Sequence, residues 1–161
     1  MGNVRKATVL AVFSLFGLVA APATAHADIT AFFGAANPET RMAKGLSFGV
    51  SVIVVGFEVE YADISAKEDA GAPRIRTGMV NAIVQTPTSG VQLYGTAGVG
   101  GYRENLLDES ETSTAFNIGG GLKMGLLGPL KLRVDYRLFT LRGSPVEKTV
   151  HRVYAGLNTS F

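Results

Sequence analysis

The sequence predicts an all-β protein: an eight-stranded antiparallel transmembrane β-barrel, threaded as an up-and-down meander. Three observations predict it. Apolar and polar residues alternate at period two through most of the chain, the signature of strands with two unlike faces. The alternating runs are mostly about 9 to 12 residues long, close to the ~9–11 that a tilted strand needs to cross a bilayer. Short turns alternate with longer polar connections, the layout of a barrel whose two ends face different compartments.

Composition narrows the field before any element is placed. Charged residues are 17% of the 161 and hydrophobic ones 47%, with a mean hydropathy of +0.24. A soluble domain usually carries about a quarter charged residues. The balance excludes a disordered chain and argues against a nucleic-acid partner. The 20 glycines follow no triplet repeat, which excludes collagen. With no cysteine, there is no disulfide framework, thiolate metal site or cysteine nucleophile. No metal or cofactor site is expected.

The first segment reads as a secretory signal. Arg5 and Lys6 precede an uncharged apolar stretch from Ala7 to Ala21, and Pro22 breaks it. Ala25 and Ala27 supply small residues at the positions a signal peptidase reads, so cleavage is expected between Ala27 and Asp28. The apolar run is shorter than the ~20 residues a membrane-spanning helix needs. Two regions follow: a signal over 1–27 and a barrel over 28–161. Arg5 and Lys6 leave with the signal, so 13 basic residues face 13 acidic ones in the mature chain. The precursor's formal charge of +2 is therefore no nucleic-acid footprint.

Each strand has its own pattern. The first, 28–35, is short. The second, 45–54, alternates Leu46, Phe48, Val50, Val52 and Val54 with small residues. The third, 57–65, sets Phe57, Val59 and Tyr61 against Glu58 and Glu60. The fourth, 76–85, mixes Asn81 with Met79 and Ile83 on one face. The fifth, 91–102, and sixth, 114–124, alternate apolar positions with Gly, Thr, Asn and Lys123. In the seventh, 130–141, Leu130, Leu132, Val134, Tyr136 and Leu138 oppose Lys131, Arg133, Asp135 and Arg137. The eighth, 149–161, sets Val153, Leu157 and Phe161 against Arg152, Tyr154, Gly156 and Asn158. Short turns are expected at Val55-Gly56, 86–90 and 125–129, and longer loops at 36–44, 66–75, 103–113 and 142–148. A turn at Val55-Gly56 would place Val54 opposite Phe57.

Periodicity alone leaves the inside undecided. A soluble lipocalin-like ligand binder points its apolar face inward, and a membrane barrel inverts that arrangement. The polar face is built largely of Gly, Ser, Thr and Asn, which fit a narrow lumen. No sequence is left over to cover an apolar sheet with helices. Four charges in succession on the seventh strand are costly beside a dry core.

The mature chain resembles the small eight-stranded outer-membrane proteins of Gram-negative bacteria, the group of the OmpA membrane domain, OmpX and the opacity-type proteins. Its most specific part is the tail from Tyr154 to Phe161. The resemblance implies that Gly156, Leu157 and Phe161 belong to a C-terminal signal read by the barrel assembly machinery. Thr159 and Ala155 depart from the usual form of that signal. It further implies outer-membrane lipids as surroundings, a periplasmic C-terminus and outward-facing loops that present a surface to an unidentified ligand.

Inward positions include Glu58, Glu60, Lys123, Lys131, Arg133, Asp135, Arg137 and Arg152. An eight-stranded barrel is just wide enough to be filled by its own side chains, so these charges are expected to pair and close it. A narrow polar pathway is the competing reading. The 103–113 segment holds Glu104, Asp108, Glu109 and Glu111, with a spacing that fits no calcium loop. Some barrels of this size are lipid A-modifying enzymes that use serine and histidine. Here Val153 stands two residues after His151, where the deacylases carry the nucleophilic serine. The expected function is non-catalytic: a scaffold that presents surface loops.

Overall fold

The computed structural model describes residues 25–87, 90–106 and 109–161. The charged and apolar parts of the predicted signal lie outside them. The strands are β1 (Ala25–Asn37), β2 (Arg41–Val52), β3 (Val55–Ile64), β4 (Arg74–Gln85), β5 (Val91–Leu106), β6 (Glu109–Leu127), β7 (Leu130–Leu141) and β8 (Thr149–Ser160). They close into one barrel in sequence order, each antiparallel to the next. The β1–β8 seam runs from Asp28 opposite Ser160 to Asn37 opposite His151. Closure pairs the backbone groups that an open edge would leave bare, a requirement in hydrocarbon.

The apolar faces point outward. Phe33, Leu46, Phe57, Val59, Val84, Leu93, Ile118 and Leu157 are all exposed on the outer wall. Glu58, Glu60, Arg133, Asp135, Arg137 and Arg152 are buried within. This is the inverse of a soluble barrel, so the lipocalin-like reading falls.

All eight strands appear where the period-two signal places them, but four connections differ; the one expected over 125–129 is only Gly128-Pro129. The β2–β3 turn is Ile53-Val54, two residues before the expected site, and Val52 pairs with Val55. Phe57 therefore faces Val50 rather than Val54. An even shift leaves every side chain on its expected face, which is why periodicity could not detect it. Ile53 pays for the turn with φ of +54°, a left-handed conformation that disfavours a β-branched residue.

The loop expected over 36–44 is only Pro38–Thr40. Arg41 reads as a loop residue by its charge, yet its side chain is buried inside the barrel and Met42 faces out. The loop expected over 103–113 is strand on both sides of residues 107 and 108, paired from Arg103 opposite Thr112 to Leu106 opposite Glu109. Asp108 lies outside the described residues. Alternation survives there in polar form, with Tyr102 and Glu104 inward and Arg103 outward. The β3–β4 connection holds one 3-10 turn, Glu68–Ala70, ended by Gly71 at φ +64°.

Candidate functional site: the barrel interior

The interior has two unlike halves. Toward the short-turn end it is polar, and β7 dominates it. Period two puts Arg133, Asp135 and Arg137 in a column on one face. Asp135 accepts from both neighbours on its own strand, at 3.2 Å from Arg133 Nη2 and 3.0 Å from Arg137 Nε. Across the lumen Glu58 accepts from Arg133 and, at 2.7 Å, from Arg137 Nη2. It also accepts from Ser47 Oγ at 3.0 Å. Glu60 pairs with Arg137 at 3.0 Å and with Arg152 at 2.5 Å. Tyr94 donates its hydroxyl proton to Asp135 and accepts from Arg133 Nε at 2.7 Å. Three carboxylates thus meet three guanidiniums, all six side chains fully shielded from solvent.

Arg152 completes the layer by a different means. Its guanidinium carbon lies 4.8 Å from the Phe139 ring centre, 5.0 Å from Phe32 and 5.2 Å from Tyr154. Aromatic faces attract a cation through their quadrupoles, and more so where water is excluded. The inward glycines make room for these large groups. A Cβ on Gly119 would lie 2.1 Å from the Tyr136 carbonyl oxygen and 2.9 Å from Arg137 Cγ.

Lys123 stands apart, paired with Asp28 at 2.7 Å near the short-turn mouth. Lys131 departs from the sequence expectation. It lines the polar mouth with Asp28, Gln85, Gln92 and Lys123, around a cavity of about 310 Å³. It is only half-buried and forms no ion pair among the described residues. Its place, two residues nearer the turn than Arg133, carries it past the acidic layer.

The loop-end half holds an apolar cluster, which the sequence reading missed. Ile64, Ile75, Met79, Tyr102, Phe139, Leu141 and Val150 form a buried cluster inside the barrel. The β7–β8 connection closes over it, with Pro145 buried. Tyr102 donates to the Arg142 carbonyl at 2.6 Å. The Val146 and Ser144 amides donate to Glu104 at 3.2 Å and to Glu111 at 2.6 Å. Arg41 reaches from inside to pair with Glu147. Burial, a hydrogen bond with Glu39 and the nearby carboxylates of Glu39 and Glu104 push Glu147 up to about 7, against the pull of Arg41.

Gly156 packs where no side chain fits, with the Ala31 carbonyl oxygen 2.6 Å and Phe32 Cβ 2.8 Å from a Cβ built there. Leu157 and Phe161 face outward, and Phe161 exchanges two backbone hydrogen bonds with Ala27 at 2.9 and 3.0 Å. His151 lies on the outer wall and shares a 2.8 Å hydrogen bond with Tyr136.

No protein-family profile matches the chain, and no curated protein does. Solved structures do. Neisserial surface protein A superposes with a TM-score of 0.67 at 18% identity, covering 85% of this chain and 97% of that one. The N-terminal barrel domain of Pseudomonas aeruginosa OprF gives 0.62 at 21% identity, over 84% and 97%. The chain folds as a small eight-stranded outer-membrane β-barrel. The outer-membrane enzyme PagL shares the fold with a TM-score of 0.55 at 12% identity, over 82% and 98%. At these identities the likeness speaks for architecture and leaves chemistry to the residues.

Proposed function

We propose that this chain is an integral outer-membrane barrel with a closed interior, a non-catalytic scaffold that holds its loop-end surface outside the cell. The observation that carries the reading is the double stopper within an apolar outer wall. A charge-balanced ionic layer fills one half of the lumen and an apolar cluster fills the other. An ion crossing this path meets a layer of mutually balanced charges, then the side chains of a buried apolar cluster. Deacylase chemistry needs a base beside a serine. His151 is bonded to Tyr136, and the residue two positions on is Val153.

Delivery belongs to the same proposal. The signal is removed after Ala27, leaving Asp28 as the first residue, and the assembly machinery reads Gly156, Leu157 and Phe161 on β8. The lipids of the outer membrane surround the wall, and any further ligand meets the loop end. The test is expression of the full precursor in a Gram-negative host. Outer-membrane fractionation, a band that shifts on heating in SDS, and negligible conductance in planar bilayers are expected. A soluble periplasmic product overturns the membrane reading, and large unitary currents overturn the closed interior.

A further inference from the structure

The outer wall is uneven in shape and in charge. Two shallow cavities dent it and meet at Ala31. One, of about 450 Å³, lies over β7, β8 and β1, against Phe33, Leu132 and Leu157. The other, of about 360 Å³, lies over β1–β3, against Leu46 and Tyr61, and reaches Lys44 and Asp63. Lys44 and Asp63 are paired across β2 and β3, two residues nearer the loop end than Leu46 and Tyr61. The furrow therefore begins in the apolar belt and ends at a charged rim.

That rim is strongly cationic. Lys44, Asp63, Arg76 and Arg103 are successive neighbours across β2–β5, all on the outer face. Arg74 folds onto the same carboxylate, with Asp63 accepting from it at 2.7 and 3.0 Å and from Arg76 at 3.2 Å. One carboxylate thus stands among four cations and bonds two of them, Arg74 and Arg76, leaving a net charge of +3 on this stretch of the wall. The Arg74 and Arg76 side chains remain 44% and 42% exposed despite those bonds. Guanidinium groups bind phosphate oxygens in pairs, and a lysine supplies a compact charge beside them.

We infer that this face binds one phosphorylated lipid of the loop-side leaflet. An acyl chain lies in the furrow over Ala31, and the phosphate sits among Lys44, Arg76 and Arg103. Charge complementarity identifies the occupant: an apolar groove ending at excess positive charge fits an apolar tail with an anionic head. The inference rests on the membrane reading above and specifies which lipid that membrane supplies.

The experiment uses the folded barrel in detergent, with native mass spectrometry as the readout and the heat-shifted gel band as the control for folding. The probes are lipid A bearing its phosphates, the same lipid dephosphorylated, and inorganic phosphate. Wild type should retain one phosphorylated lipid at least tenfold better than the dephosphorylated form. The K44Q/R76Q/R103Q protein should lose that preference, and Ala31→Trp should displace the lipid while the heat shift persists. Equal retention of both lipids by a heat-shifting barrel overturns the inference alone. So does full displacement by inorganic phosphate at low millimolar concentration, which would mark a simple anion site. A dimer abolished by Ala31→Trp would show a second copy in the furrow and overturn it too. A chain that stays soluble and shows no shift overturns the membrane reading and the inference together.

Discussion

Replacing Glu58 with leucine should be among the most damaging single changes in this barrel. Glu58 is fully buried and balances Arg133 and Arg137, while Ser47 donates to it from the neighbouring strand. Its loss leaves the central layer with three guanidiniums and two carboxylates. Removing one partner of a buried ion pair costs about 3–5 kcal/mol, because the remaining charge stays buried and unpaired. Asp135 and Glu60 continue to serve both arginines, so about 3–4 kcal/mol is expected here. The milder Glu58→Gln keeps an acceptor oxygen and should cost about 2 kcal/mol, the range of a hydrogen bond to a charged group. The decisive variant is the double substitution Glu58→Leu with Arg133→Leu, which restores the balance at two and two. It should cost about 2 kcal/mol less than the sum of the two single substitutions, a coupling typical of contacting residues. Urea titration of the barrel in lipid vesicles measures this, read by the ratio of unheated to heat-shifted gel bands. A double variant whose cost equals the sum of the single ones would refute an interior governed by charge balance. So would Glu58→Leu and Glu58→Gln both costing under about 1 kcal/mol.

Three further outcomes follow from other parts of the molecule. Glu147 is pushed up to about 7 in the folded protein from an ordinary carboxylate value, so the fold binds a proton there that the open loop releases. Its contribution to closing the 142–148 loop is therefore strongest in acid and is lost as pH rises toward and through 7. Hydrogen exchange of that loop should be faster at pH 8 than at pH 5.5 beyond the intrinsic change, and Glu147→Gln should flatten the difference. Phe139→Ala opens a cavity in the apolar half and removes a face from Arg152, for an expected loss of about 3–5 kcal/mol by the same titration. Ile53→Asn relieves a left-handed β-branched residue and should raise stability by about 1 kcal/mol without moving the heat-shifted band.

The strands and their faces were legible because one physical signal, period two, carries both. Val50, Phe57 and Leu132 read as outward, and Glu58 and Arg133 as inward, before any coordinates. Parity put these charges on one face; the small residues of that face and the resemblance to membrane barrels put the face inside. What stayed hidden had weaker marks. The inner apolar cluster places Phe139 and Leu141 beside outward Leu138, so apolar residues occupy both faces and the alternation fades. Arg41 looked like solvent-exposed charge, because nothing local reveals that Glu147 lies across the lumen, 106 residues away. The Ile53-Val54 turn carries no glycine or asparagine to announce its positive φ. Lys131 shares the parity of Arg133, but parity fixes a face and leaves depth along the barrel open. The cationic rim is divided among β2, β4 and β5, and only their register brings it together.

The seam between β1 and β8 has a consequence for the route to the native state. Every other pairing joins strands adjacent in sequence and can zip as a hairpin at little entropic cost. The seam joins Asp28 to Ser160, so it waits for β8 and closes the longest loop in the barrel. Until then, β1 and β8 each present a full edge of unpaired amides and carbonyls, which hydrocarbon does not tolerate. A half-built sheet can thus neither rest in the bilayer nor leave its apolar wall in water. Closure of the β1–β8 seam is what makes the apolar wall compatible with hydrocarbon.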